Sequence, residues 1–118
     1  MIWTDLSSAP EKGTFVALAA DVNGATVLTV TTAAGDFPLL LVRRNDGVIA
    51  FVNMCPHQFL PLDYRSNQVL SVDGSKLMCS AHGAMFDAGT GAGVGGNGLG
   101  CDLIPVPVAQ IDGQIVIG

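Results

Sequence analysis

Short apolar or β-branched runs separated by turn-forming residues make up most of this chain, and no stretch shows the periodicity of an amphipathic helix. Asn45-Asp46-Gly47, which lies between two such runs, is a hairpin signal. The pattern therefore predicts a small, antiparallel, all-β fold. Strands are predicted at residues 15–20, 26–32, 39–44, 48–52, 76–79, 84–87, 103–108 and 114–117.

A glycine-rich segment precedes the last two predicted strands. Residues 89–100 hold seven of the fifteen glycines and include the pattern G-x-G-x-x-G at 91–96. That pattern binds a dinucleotide only between a strand and a helix of a βαβ unit, whereas the 22 residues after Gly96 are predicted to be strands. We therefore expect a loop that covers a neighbouring site and no nucleotide binding. Pro105 and Pro107 predict that the following strand lies at a sheet edge.

Length and charge narrow the possible functions. The 118 residues predict one domain, and a 49% apolar, 13% charged composition favours a packed globule. Ten acidic and five basic residues disfavour nucleic acid and anionic membranes as partners, and favour a partner with a basic patch. The N-terminus resembles no secretory signal and no apolar run could span a bilayer, so we expect a cytoplasmic protein.

Two short pairs, Cys55-Pro56-His57 and Cys79-Ser80-Ala81-His82, contain both histidines and two of the three cysteines. This coincidence predicts one metal site that both pairs share. Thiolates and imidazoles suit either zinc or an iron-sulfur cluster, and the ligand types alone do not separate the two. Unrelated histidines are a third possibility. For Cys101 we expect a buried thiol with no role at the site.

One Cys and one His in each pair is an arrangement that resembles the Rieske family, and the resemblance extends over residues 53–57, 61–62 and 79–87. It implies a 2Fe-2S cluster with Cys55 and Cys79 on one iron, and His57 and His82 on the other. It also implies a single Rieske domain, 1–118, in which a cluster-binding subdomain at about 54–96 is inserted into a β-sandwich-like base. The base would be about 14–53 and 99–118. Residues 65–75 would be a solvated insertion between the ligands.

The resemblance implies a soluble Rieske-type ferredoxin, monomeric when isolated, that carries single electrons from a reductase to a terminal acceptor such as a ring-hydroxylating oxygenase. We expect no enzyme activity from this chain alone, because no histidines remain for a mononuclear iron site. Two alternatives stay open: a Rieske-like small subunit of a larger reductase, such as nitrite reductase, and a structural zinc-binding interaction module. Phe59-Leu60 is the predicted docking surface.

A comparison with the high-potential branch of the family predicts a low potential. The two disulfide cysteines of that branch would fall at Leu60 and Ala81, so packing has to hold the loops together here. Its cluster-facing hydroxyl groups would fall at Ala84 and Phe86, which have none. Hydrogen bonds to the cluster stabilise its reduced state, so we expect a potential in the lower part of the roughly −150 to +300 mV Rieske range.

Overall fold

The computed structural model describes residues 2–45, 47–56, 59–80, 83–96 and 100–118. Its described residues form ten β-strands and two short 3₁₀ turns, and they contain no α-helix. No helix in these ranges has the length and hydropathy needed to cross a bilayer. Contacts divide the chain into two compact units, Met1–Val52 with Pro105–Gly118, and Asn53–Ile104.

The first unit contains two antiparallel sheets. Their strands are β1 (Phe15–Leu18), β2 (Ala25–Thr32), β3 (Gly35–Arg44), β4 (Gly47–Val52), β8 (Pro105–Val106), β9 (Val108–Ile111) and β10 (Gln114–Ile117). One sheet has the strand order β1-β10-β9 and the other has the order β2-β3-β4-β8.

Strand β3 forms the centre of the first unit. Leu39, Leu40 and Leu41 are successive residues with no solvent exposure, so both faces of the strand are covered. An uninterrupted apolar run is the sequence signature of a strand buried on both faces. At the start of β3, the ring of Phe37 meets Trp3 edge-on, with ring centroids 6.3 Å apart. The irregular N-terminal residues thereby cover one end of the core.

Several strand boundaries differ from the expected ones. The first strand ends at Leu18, because Ala19–Asp21 forms a 3₁₀ turn. The single strand predicted at 103–108 was wrong: residues 105–106 pair with β4, and a new strand begins at Val108 to pair with β10. Pro107 lies where the chain changes sheets. The edge position predicted from the prolines is confirmed, because β8 is the last strand of its sheet.

The second unit is built on a three-stranded antiparallel sheet of order β5-β6-β7, with β5 at Lys76–Met78, β6 at Met85–Asp87 and β7 at Gly93–Gly95. Leu77 and Phe86 are paired across β5 and β6, and both are fully buried. Residues 79–84 connect these two strands in sequence, so Cys79 begins the connection of a β-hairpin. The first pair follows the end of β4.

Candidate metal centre

The structure describes two of the four predicted ligands. Cys55 is fully buried and Cys79 is 1% exposed, whereas His57 and His82 lie outside the described residues. Across the ranges that are described, no three or more metal-binding side chains form a group. Structural support for a metal site therefore comes from the two cysteines, and the four-residue ligand set stays a prediction.

The first cysteine loop, residues 55–60, is closed by two backbone hydrogen bonds. The Cys55 amide donates to the Leu60 carbonyl oxygen at 2.7 Å, and the Phe59 amide donates to the Cys55 carbonyl oxygen at 2.7 Å. A buried polar backbone group needs such a partner, because water cannot reach it. The loop thus satisfies the backbone of Cys55 internally and holds this residue at its base.

The second cysteine loop, residues 79–84, has the same hydrogen-bond pattern. The Cys79 amide donates to the Ala84 carbonyl oxygen at 2.8 Å, and the Gly83 amide donates to the Cys79 carbonyl oxygen at 2.9 Å. In each loop the cysteine amide is bonded five residues ahead, and the cysteine carbonyl oxygen is bonded four residues ahead. The cysteines therefore occupy equivalent positions in two matching turns.

The fifth residue of each loop has a left-handed backbone, but the residue types differ. Gly83 has φ 71° and Phe59 has φ 59°. Glycine adopts this conformation without a Cβ clash, whereas a bulky side chain is strained there. The Phe59 side chain is 65% exposed, so burial of its ring does not offset this strain.

The glycine-rich segment contacts the second cysteine loop directly. A Cβ placed on Gly96 would collide with the carbonyl oxygen of Gly83, and a Cβ on Gly95 would lie 2.6 Å from the Met85 methyl group. The expectation of a plain loop at 89–100 was wrong in part, because β7 lies within it and pairs with β6. Gly96 thus permits close approach of two backbone segments, and Gly95 leaves room for the Met85 side chain, which explains these two glycines of the G-x-G-x-x-G pattern without a nucleotide.

The segment between the loops is only partly solvated. Residues 65–68 are exposed as expected, but Val69 is 2% exposed and Leu70 forms a β-bridge with Leu77. Beyond the bridge, hydrogen bonds from Ser71 and Ser75 hold the pKa of the Asp73 carboxyl group well below its usual range. The predicted insertion is therefore anchored to the hairpin that carries the second cysteine loop.

The third cysteine is less enclosed than expected. Cys101 is partly exposed rather than buried. Its neighbours hold the chain in place: the Asp102 carboxylate accepts a hydrogen bond from the Gly93 amide at 3.0 Å, and the Leu103 amide donates to the Gly91 carbonyl oxygen at 2.8 Å. Residues 102 and 103 thus belong to the second unit.

Two polar residues beside the cysteine loops were given no role by sequence analysis. Asn53 is 4% exposed and precedes Cys55 by two residues, and Ser80 directly follows Cys79. Both side chains form hydrogen bonds to the backbone of Leu62. For Asn53, the sequence signal was a polar residue at the end of an apolar strand. For Ser80, no local pattern indicates a hydrogen bond to a residue 18 positions earlier.

The arrangement suits a cofactor that takes one thiolate from each of two loops. Cys55 and Cys79 are both buried, and they have equivalent places in their turns. Thiolates are ligands for iron-sulfur clusters, and a Rieske centre takes two of them on the same iron. The described donor residues therefore fit this group.

The model of the Rieske [2Fe-2S] domain family matches residues 13–108, which is most of the chain. The chain belongs to the Rieske [2Fe-2S] domain family. The predicted family and its cofactor, a 2Fe-2S cluster, are thereby confirmed. The assignment of the four ligands and of the subdomain boundaries stays a prediction.

Solved structures of Rieske proteins share the fold. The ferredoxin of carbazole 1,9a-dioxygenase from Nocardioides aromaticivorans IC177 has a TM-score of 0.71 at 19% identity, and the match covers 92% of this chain and 98% of that one. The ferredoxin of Sphingomonas yanoikuyae B1 has a TM-score of 0.66 at 24% identity, with 89% and 96% covered. The predicted all-β Rieske fold is confirmed.

A curated relative is similar over a shorter stretch. The oxygenase component of dicamba O-demethylase from Stenotrophomonas maltophilia is 47% identical over 55 residues. That stretch is 46% of this chain and 15% of the relative, so the chain matches a small part of the relative's length.

Proposed function

We propose that this chain is a Rieske-type ferredoxin that carries single electrons from a reductase to a terminal oxygenase. The observation that carries the proposal is the pair of matching cysteine loops in a chain that the Rieske family model matches over residues 13–108. When bound, the cluster accepts and releases one electron at a time. Cys55 and Cys79 would hold one iron, and His57 and His82 the other.

The proposed partner follows from the relatives. One structural neighbour is a complex of an oxygenase and a ferredoxin in carbazole 1,9a-dioxygenase; its matched chain has a TM-score of 0.68 at 24% identity, and the match covers 88% of this chain and 90% of that one. The dicamba O-demethylase relative is likewise an oxygenase component. A net charge of −5 favours a partner with a basic surface, since opposite potentials steer two proteins together.

Phe59 and Leu60 are the proposed docking residues. Phe59 lies two residues beyond His57 and is 65% exposed. An exposed aromatic side chain is a typical anchor in a transient interface. A contact beside His57 would bring the acceptor close to the iron that the two histidines would hold.

A carrier fits this chain better than an oxygenase. Its sequence has two histidines, both assigned to the cluster, so a mononuclear iron site of two histidines and one carboxylate has no imidazole left in this chain. The dicamba O-demethylase relative is much longer than the stretch it shares with this chain. The chain would therefore supply electrons and leave oxygen chemistry to another component.

The test is to purify the chain anaerobically and to measure its iron and sulfide content, its visible absorption and its EPR spectrum after dithionite reduction. We expect two irons and two sulfides per chain, and uptake of one electron. The reduced protein should then transfer its electron to the oxygenase of a carbazole 1,9a-dioxygenase system. Gel filtration should show a monomer.

Other outcomes would support the alternatives. A colourless, EPR-silent protein with one zinc per chain would refute the proposal in favour of a structural zinc module. A coloured protein that isolates only as part of a larger reductase would favour the small-subunit alternative. Localisation in the cytoplasm stays a prediction.

A further inference from the structure

Ser80 makes several hydrogen bonds to residues that lie far from it in the sequence. Its hydroxyl group donates to the Leu62 carbonyl oxygen at 2.8 Å and accepts from the Arg65 and Ser66 amides at 2.8 and 3.3 Å. Its own amide also donates to the Leu62 carbonyl oxygen, at 2.9 Å. A hydroxyl group has one hydrogen to donate and two lone pairs to accept, so all of its positions are used.

Leu62 is held from its other side by Asn53. The Leu62 amide donates to the Asn53 side-chain oxygen at 2.9 Å, and the Asn53 side-chain nitrogen donates to the Asp63 carboxylate at 3.1 Å. Leu62 is fully buried, so its backbone groups depend on these partners. One residue therefore connects the segment before Cys55 to the residue after Cys79.

This connection differs from the other serine hydrogen bonds of the same unit. The hydroxyl groups of Ser71 and Ser75 both donate to the Asp73 carboxylate, two residues away, and so stabilise one local turn. The Ser80 hydroxyl group instead joins residues 14 to 18 positions apart. Each cysteine loop is a short turn with its own internal hydrogen bonds. Its placement relative to the other loop therefore needs hydrogen bonds between residues far apart in the sequence.

We propose that Ser80 and Asn53 are positioning residues: through Leu62 they hold the two cysteine loops at the separation that a shared cluster requires. The proposal rests on the cluster assigned under the proposed function. Hydrogen bonds, and not packing alone, then hold the loops together. Without the Ser80 hydroxyl group, three hydrogen bonds are lost and the loops can separate more easily.

The test compares Ser80→Ala with Ser80→Thr, which keeps a hydroxyl group, and with Ser75→Ala, which removes a hydroxyl group that bonds only locally to Asp73. The rate of cluster loss to an iron chelator and the EPR spectrum of the reduced protein are measured for each holoprotein. Ser80→Ala should lose its cluster at least about fivefold faster, since the loss of even one of the three hydrogen bonds favours separation of the loops by about this factor. Its EPR lines should broaden because the loop separation varies. Ser80→Thr and Ser75→Ala should match the wild type in both measurements.

Asp63→Ala provides a second variant if Ser80→Ala fails to fold, because it removes the acceptor of the Asn53 side-chain nitrogen and leaves Ser80 intact. It should also accelerate cluster loss and broaden the EPR lines. Wild-type EPR lines and loss rates in Ser80→Ala, or in Asp63→Ala where Ser80→Ala does not fold, would overturn the proposal even if thermal stability fell. A wild-type protein without iron and sulfide would instead refute the proposed function, and the positioning role with it.

Discussion

The two cysteine loops share one hydrogen-bond pattern but not one sequence. Each loop bonds its cysteine amide five residues ahead and its cysteine carbonyl oxygen four residues ahead. At the fifth position the second loop has Gly83, which tolerates φ 71°, whereas the first loop has Phe59 at φ 59°. Strain of this kind costs on the order of 1 to 3 kcal/mol.

At the fifth position, therefore, the left-handed backbone strains the first loop and not the second. A glycine at position 59 would meet the same backbone requirement without strain, as Gly83 does in the second loop. The exposed Phe59 ring stabilises the folded chain little, since most of its surface stays in water. A docking role for this ring is consistent with that cost, because strained residues are concentrated at functional sites.

The largest expected effect comes from removing any one of the four predicted ligands. Cys55→Ser, Cys79→Ser, His57→Ala and His82→Ala should each give a colourless protein that folds poorly, because metal binding supplies part of the folding free energy. Cys101→Ala should keep its cluster. Visible absorption and iron content check each variant. Wild-type absorption in His82→Ala, or loss of colour in Cys101→Ala, would contradict the ligand assignment.

A second prediction concerns the second loop and the strand that follows it. Ala84 and Phe86 are fully buried and lack hydroxyl groups. Ala84→Ser and Phe86→Tyr should raise the reduction potential, because a hydrogen bond to the cluster strengthens on reduction. A gain of about 1 to 2 kcal/mol corresponds to about 40 to 90 mV for a one-electron couple. Voltammetry measures the change, and an unshifted potential in both variants would refute the assignment of these positions.

Substitutions at the fifth loop position test the backbone strain directly. Phe59→Gly should raise the free energy of unfolding by about 1 kcal/mol, and Gly83→Ala should lower it by about the same amount. Phe15→Gly is a matched control: Phe15 is 51% exposed but lies in β1, where glycine destabilises a strand. Urea denaturation of the three variants tests this.

The same Phe59→Gly variant should transfer its electron more slowly to the proposed oxygenase partner, although its fold is more stable. If denaturation showed Phe59→Gly to be less stable than the wild type, the strain argument would be wrong. An unchanged rate of electron transfer would contradict the docking role of Phe59 without affecting the strain argument.

The smallest effect is expected in the segment that joins the two loops. Hydrogen bonds from Ser71 and Ser75 lower the pKa of Asp73 in the folded state, so this carboxylate adds stability above its unfolded pKa and loses that stability as pH falls through the folded pKa. Asp73→Asn should therefore weaken the loss of stability in strong acid. Because Asp73 is exposed to solvent, the change should be small. Denaturation midpoints below pH 4, compared with those of Asp21→Asn, would show it, and identical acid profiles for both variants would contradict it.

Most of the correct predictions came from patterns of residues that lie close together in the sequence. The hairpin around residues 45–47 follows from short-range turn preferences, and the structure has it. The paired cysteines and histidines indicated a shared metal site, and the family match bears out its cofactor. Strand β7 could not be predicted in the same way, because its pairing with β6 requires Gly95 to leave room for the Met85 side chain, which only the folded chain brings beside it.

By itself, then, the sequence determined the all-β class, the Rieske family and the residue types that can bind the cluster, because these depend on neighbours a few positions apart. The tertiary structure decided that the two loops share one backbone pattern, that Phe59 has a left-handed backbone, and that Leu62 connects Asn53 with Ser80. These features depend on partners far apart in the chain, whose pairing is determined only when the whole core packs and buried backbone groups find their hydrogen bonds.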